Sequence, residues 1–290
     1  MQVLILGERG FLGQYFLNQT QTAGFTLSNS VHFITSKIEN QEEFEGFFAN
    51  LPHAEVIINC IALANIDYCE RNPEKAFWVN SALPGLISEY SSSRHMKLIH
   101  FSTDAVFDGS VAYPSESMPT RPLSVYGSTK LVGEERVLTE NSQALIVRTN
   151  FFGISPKGDS FTEKALSAAA LNHSFTGYSD VYFSPTHARN LVEGTLNLLR
   201  NECSGIFHLV GKERISKYDF ARRLFEKAGG DTDRLVKGSA KDNPDFSYRS
   251  MDLSLDCSKV EPYFLAANTL DDDIELVAKE FFLRGLTWDR

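Results

Sequence analysis

A chain of 290 residues with 42% hydrophobic side chains can bury a full core, as one large α/β unit or as a nucleotide-binding domain with a small second lobe. A net charge of −9 opposes long-range attraction to phosphate backbones, so no nucleic-acid partner is expected and any anionic ligand must be held locally. Four dispersed cysteines and seven histidines without an i, i+4 pair offer no metal site, and no apolar run approaches the roughly 18 residues of a membrane span, so a cytoplasmic protein without a membrane partner is expected.

Residues 2–6 (QVLIL) form a short apolar run that ends in the glycine loop GERGFLG, which predicts a buried parallel strand followed by a helix. Gly7, Gly10 and Gly13 are spaced G-x-x-G-x-x-G, not the G-x-G-x-x-G of the usual dinucleotide fingerprint. Without side chains, their backbone N–H groups can approach a pyrophosphate at the positive end of the helix; a glycine turn that serves only the fold is the alternative. The second strand should end at a residue facing the adenosine ribose, and Ser36, Lys37 and Glu39 are the candidates. Lys37 and Arg9 suit a 2′-phosphate, favouring NADP with NAD as the alternative, although both are equally at home as solvated surface charges.

Further buried strands are predicted at Val56–Asn59, Lys97–Phe101, Ala144–Val147 and Ile206–Leu209, each pair separated by enough chain for a helix. This alternation predicts an α/β fold with a doubly wound parallel sheet. Between Pro185 and Leu199 the residues Leu191, Thr195 and Leu198 recur at helical spacing, where the sheet domain resumes. A helix at Tyr218–Ala228, a turn-rich stretch at Gly229–Pro244 and a closing helix at Asp271–Arg284 read as a smaller lobe. The expected division is a nucleotide-binding domain over residues 1–150, resumed at about 177–210, with 151–176 and 211–290 forming the smaller lobe.

Tyr126 and Lys130 stand four apart in YGSTK, so a helix would place them on one face. Reduction of a ketone by hydride creates an alkoxide that needs a proton, and a tyrosine with a cation beside it is a reversible acid. Thr103 can donate to the carbonyl oxygen where charge develops. It lies in IHFSTDAVFDG, just past a predicted strand, at the sheet edge where open α/β folds bind ligands. The plainer readings are a surface contact for Tyr-x-x-x-Lys and a helix cap or turn for Ser-Thr-Asp.

With these motifs, the chain resembles the extended short-chain dehydrogenase/reductase family over nearly its whole length, and most closely the dTDP-4-dehydrorhamnose reductase branch. NCIALANIDYCERNPEKAFWVN resembles that branch's signature at Asn59, Asp67, Glu70, Pro73, Glu74, Ala76, Val79 and Asn80; HFSTDAVFDG, RTNFFG, SPT at 184–186 and LDCSKV resemble later motifs. The resemblance implies a Rossmann-type sheet with a C-terminal substrate-binding lobe, Tyr126 as proton donor, Lys130 as its partner and Thr103 turned toward a sugar carbonyl. It further implies that Gly10, Phe11 and Leu12 touch the pyrophosphate and that Ile61, Ala62 and Leu63 line the cofactor channel. Phe101 would stand behind the nicotinamide with Ser102 beside it, and Asp104 and Phe151 would contact substrate. The implied activity is NAD(P)H-dependent reduction of a nucleotide-linked 4-keto-6-deoxy sugar, in deoxysugar supply for polysaccharide. Nucleotide-sugar epimerisation and a non-catalytic role like that of the methionine adenosyltransferase regulatory subunit are the alternatives. Related dehydratases carry an acid where this chain has Ala105, which cannot transfer a proton. Ala105 and Phe151 replace a tyrosine and a tryptophan, and residues around Ile38 to Asn40 depart from the adenosine-side motif. Arg189, Lys212 and Arg249 are loose candidates for the substrate diphosphate. The family often forms homodimers, to which a surface helix at Pro73–Asn80 could contribute.

Overall fold

The computed structural model describes residues 1–20, 26–27, 40–49, 51, 54–242, 249–264, 266 and 268–285, so Ser36, Lys37, Ile38, Glu39 and Pro244 lie outside the described residues. The first half of the chain alternates strand and helix. It runs β1 (Gln2–Leu6), α1 (Phe11–Thr20), β2 (Thr26–Leu27), α2 (Gln41–Phe48), β3 (Val56–Asn59), α3 (Ile66–Arg71), α4 (Pro73–Phe77), α5 (Leu83–Ser93), β4 (Lys97–Thr103), α6 (Val125–Glu140) and β5 (Leu145–Thr149). A π-helical turn at Trp78–Ala82 joins α4 to α5. Then come β6 (Phe151–Phe152), α7 (Phe161–Ala170), β7 (Phe175–Tyr178), β8 (Tyr182–Phe183), β9 (Thr186–His187), α8 (Ala188–Arg200), β10 (Gly205–His208), β11 (Ile215–Ser216), α9 (Lys217–Lys227), β12 (Leu235–Gly238), β13 (Asp252–Leu253) and α10 (Leu270–Leu283).

The large sheet has the order β2-β1-β3-β4-β5-β10 with every pairing parallel. Because side chains alternate along a strand, its apolar runs feed two cores. Val3, Ile5, Val56, Ile58, Ile99 and Phe101 pack with Phe16 of α1 and Leu191 of α8 on one face. Leu4, Leu6, Ile57, Leu98 and Ile146 pack with Phe44 of α2, Ile87 of α5 and Val137 of α6 on the other. The small sheets, α7, α9 and α10 enclose a separate core around Leu166, Phe220, Leu224, Val277 and Phe281.

Several boundaries differ from the sequence expectation for local reasons. β4 runs on to Thr103 because Ser102 and Thr103 still pair with Arg148 and Thr149 of β5. The helix expected from Pro185 begins at Ala188, since Thr186 and His187 pair with β6 and His187 caps α8. Within the stretch expected to rejoin the large sheet from 177, Tyr178 pairs with β12 and Tyr182–Phe183 with β11 and β13; the chain returns to the large layer with α8 and β10. Ser216 and Thr269 cap α9 and α10 by accepting from Asp219 N and Asp272 N, and set both helices one residue earlier than expected. Among the described residues no helix is long and apolar enough to cross a membrane.

Helix α6 lies unusually close to its neighbours: a Cβ on Gly133 would meet Asn80 O at 2.1 Å. Gly46, inside α2, has nothing within 4 Å of a Cβ among the described residues. Gly133→Ala is therefore expected to destabilise the protein by roughly 1–3 kcal/mol through overpacking, whereas Gly46→Ala should stabilise it by about 0.5–1 kcal/mol through helix propensity. Urea denaturation of the two variants beside the parent measures both.

Candidate functional site

The strand order reverses between β1 and β3, and the loops leaving their carboxyl ends flank a crevice of the kind where open α/β sheets bind ligands. Gly7 takes φ +84° there, a conformation that other residues rarely adopt. A Cβ on Gly13 would strike Gly7 O at 2.2 Å, so the loop can fold back on the start of α1 only with glycine at that position. The first N–H groups of α1, from Phe11, Leu12 and Gly13, have no acceptor one turn earlier within the helix. On the β3 side, Asn80 holds Leu63 through both backbone groups: Leu63 N donates to Asn80 Oδ1 at 2.9 Å and Asn80 Nδ2 donates to Leu63 O at 3.1 Å. Ile61 N donates to Asn59 Oδ1 at 3.1 Å, and Ala62 is exposed beside it. Phe11 and Phe151 meet with ring centroids 4.9 Å apart, which sets Phe151 against the start of α1.

At the end of β4, Tyr126 and Lys130 project from the first turns of α6. Ser124 caps that helix by accepting from Gly127 N at 3.0 Å, and Glu70 Oε1 accepts from Val125 N at 2.7 Å. A Cβ on Gly127 would reach Ala105 O at 2.3 Å, so this glycine lets the helix rest on the turn that follows Thr103. The Tyr126 phenol is hydrogen-bonded to Thr103; removal from water and the nearby Asp104 carboxylate push it up to about 12 despite that bond. Thr103 Oγ1 donates in turn to Asp104 Oδ1 at 3.0 Å. Lys130, 1% exposed, donates to Phe101 O at 2.6 Å and stands 3.2 Å from His100 Nε2. Burial pushes its ammonium down to about 8, against the pull of Glu134. Glu134 itself clasps Arg148 in a buried pair at 2.7 Å.

The residues singled out in the sequence thus divide. Thr103, Asp104 and Tyr126 form one hydrogen-bonded run. Lys130 packs behind it against β4, bonded to His100 and Phe101. Phe101 contributes its carbonyl to Lys130, while its ring turns to the opposite face of the sheet against Phe16, with centroids 5.5 Å apart. Ser102 Oγ is buried without a hydrogen-bond partner among the described residues. Of the three loose diphosphate candidates, Arg189 pairs with Glu280 and Lys212 with Glu261, whereas Arg249 pairs with Asp67 and lines a cavity beside Ala105 and Ser124. Among the described residues no cluster of three His, Cys, Asp or Glu side chains could hold a metal.

That cavity, of about 330 Å³, is lined by Ala105, Ser124, Phe161, Tyr178, Lys217 and Arg249 among others. Lys217 escaped the sequence reading. Its ammonium lies 3.3 Å from the centroid of the Phe183 ring, and burial pushes it down to about 8 while Asp104 holds it up. Asp104 is pushed up to about 6 by burial, against hydrogen bonds from Asn150 and Thr103 and the Lys217 charge. A sequence signal for Lys217 existed: a lysine directly after the cap Ser216, at the positive end of a helix, works against the helix dipole and needs another reason to be there. His100 and Asn150 were also missed. His100 shares its strand face with Ser102 by the two-residue period of β4, which was the available clue. Replacing Asp104 by Asn and Lys217 by Met, singly and together, should give a favourable coupling of roughly 1 kcal/mol in denaturant unfolding, because each single change removes the charge that restrains the other group. Strict additivity would mean that the two charges do not sense each other.

Comparison with known proteins adds a family. The family model described as RmlD substrate binding domain matches residues 1–281. A probable low-salt glycan biosynthesis reductase of Haloferax volcanii is 29% identical, over 97% of this chain and 98% of its own. A dTDP-4-dehydrorhamnose reductase of Mycolicibacterium smegmatis is 32% identical over 81% of this chain and 71% of its own. The crystal structure of a dTDP-4-dehydrorhamnose reductase from Clostridium acetobutylicum, 25% identical, superposes with a TM-score of 0.87 over 97% of this chain and 100% of that one.

Proposed function

The chain belongs to the RmlD substrate-binding-domain family, and from that premise we propose that it is an NADPH-dependent reductase of a nucleotide-linked 4-keto-6-deoxy sugar, of the dTDP-4-dehydrorhamnose reductase type. The observation that carries this reading is the hydrogen-bonded Thr103–Tyr126 pair at the carboxyl edge of the sheet, beside both the glycine-loop crevice and the cavity under the smaller lobe. The residues present fit a dinucleotide. Gly7, Gly10 and Gly13 leave room for a pyrophosphate at the start of α1, Ile61 to Leu63 form the opposite wall, and the unpartnered Ser102 Oγ and Lys130 lie on the side suited to the nicotinamide ribose. Arg9, exposed on the loop, suits a 2′-phosphate. The cofactor, when bound, supplies hydride to the ketone carbon.

The chain's own residues deal with the oxygen. Tyr126 O–H gives its proton to the developing alkoxide, which is a stronger base than the phenolate left behind even with the phenol pushed up to about 12. Thr103 orients the carbonyl between Tyr126 and Asp104. Arg249, whose partner Asp67 is half exposed and easily resolvated, is the cation best placed for the diphosphate. Ala105 has no proton to transfer, which argues against dehydration. The reading includes a cytoplasmic location and a homodimer formed through the helices around Phe77, which is exposed beneath the guanidinium of Arg136.

Loss of nicotinamide absorbance with NADPH and dTDP-4-dehydrorhamnose tests the proposal. Tyr126→Phe should lower kcat by about a thousandfold while cofactor binding is kept. Unchanged turnover would remove Tyr126 as the donor, and cofactor binding without turnover on any keto sugar would point to a binding subunit.

A further inference from the structure

The Lys217 ammonium is held by rings and by no hydrogen bond or ion pair among the described residues. It lies 3.3 Å from the centroid of Phe183 and 5.4 Å from that of Phe161. The side chain is half-buried and lines the cavity of about 330 Å³, whose described walls carry two cations, Lys217 and Arg249, and no acid. A partly desolvated ammonium that faces a cavity with its three donors unmet is suited to an oxygen of a bound molecule.

Asp104 shows which oxygen this is. Its buried carboxylate accepts from Thr103 Oγ1 at 3.0 Å and from Asn150 Nδ2. Asn150 O accepts in turn from Thr186 N at 3.0 Å, three residues beyond the ring on which Lys217 lies. With Asp104 pushed up to about 6 and Lys217 down to about 8, both are mainly charged at neutral pH; each restrains the other, yet they form no ion pair. Thr103 and Asp104 lie side by side, as do a ketone oxygen and a hydroxyl on the adjacent carbon of a sugar. With the ketone at Thr103 and Tyr126, that hydroxyl falls at Asp104. In a 4-keto-6-deoxyhexose it is the C3 hydroxyl, since C5 bears only the methyl.

We infer that Lys217 is a specificity-determining residue, an inference that rests on the proposed reductase activity: its ammonium donates to the C3 hydroxyl of the keto sugar, and that hydroxyl donates to Asp104. A hydroxyl can accept from the cation and donate to the carboxylate at once. A hydrogen in its place leaves the Lys217 donors unmet in a site closed to water, so a 3-deoxy sugar is selected against.

The test measures binding, so that it does not depend on turnover. Calorimetry with the whole protein and saturating NADP compares dTDP-rhamnose with its 3-deoxy and 2-deoxy analogues. The parent should bind dTDP-rhamnose at least about tenfold more tightly than the 3-deoxy compound, as expected of a hydrogen bond to a charged group. Lys217→Met should narrow that ratio to within about threefold and leave the 2-deoxy ratio where it was. A parent that binds dTDP-rhamnose and the 3-deoxy compound alike overturns the inference, whether or not the variant folds. So does a folded Lys217→Met protein in which the preference persists, or in which both ratios fall together. Failure to bind any of the three removes the inference and the reductase reading together. Turnover of the 4-keto sugar is followed separately: a protein with the Lys217-dependent preference that consumes no NADPH keeps this assignment and loses the reductase reading.

Discussion

Helix α6 touches its surroundings through backbone. At Gly127 it rests on the carbonyl of Ala105, and at Gly133 on the carbonyl of Asn80, each at a distance that no Cβ could tolerate. These two contacts bracket Tyr126 and Lys130, so the same approach that removes two side chains from the helix drives the two functional ones into the end of β4. The rest of the site follows from this clamp. Asn80, pressed against α6 on one side, holds Leu63 on the other and donates to Thr129 Oγ1 at 3.2 Å, which ties the loop after β3 to the helix that carries Tyr126. A shift of α6 would therefore move crevice and proton donor together.

Burial then decides which groups carry charge. Arg148 and Glu134 are both buried and form a forked pair, which meets most of the desolvation cost of each. Asp104 is buried and Lys217 half-buried in the cavity wall, one raised and the other lowered toward neutrality, each restrained by the other's charge. Removal from water, with the nearby Asp104 carboxylate, raises the Tyr126 phenol, and no cation among the groups that shift it offsets the rise.

Much of this was legible in the sequence because it is written locally. The first strand and the glycine loop are contiguous, Tyr126 and Lys130 are one helical turn apart, and Thr103 ends a seven-residue strand, so period and spacing locate all three. The charge interaction of Lys217 with Asp104 and the hydrogen bond of His100 with Asn59 join elements far apart in the chain, and nothing local marks such pairs. The two-residue strands of the small sheets carry too few side chains to show a period, which is why the return to the large layer was expected too early. Phe101 shows a further limit. Its place in the strand was clear, but the face its ring occupies depends on the packing of α1, and the ring lies across the sheet from Lys130.

The most direct test of the central claim follows the hydride. With NADPH deuterated at C4 of the nicotinamide and dTDP-4-dehydrorhamnose as substrate, NMR of the isolated sugar nucleotide should show deuterium at C4 of the hexose, with one cofactor oxidised for each sugar reduced. A sugar that changes configuration without gaining deuterium or consuming cofactor would contradict the account and mark the protein as an epimerase.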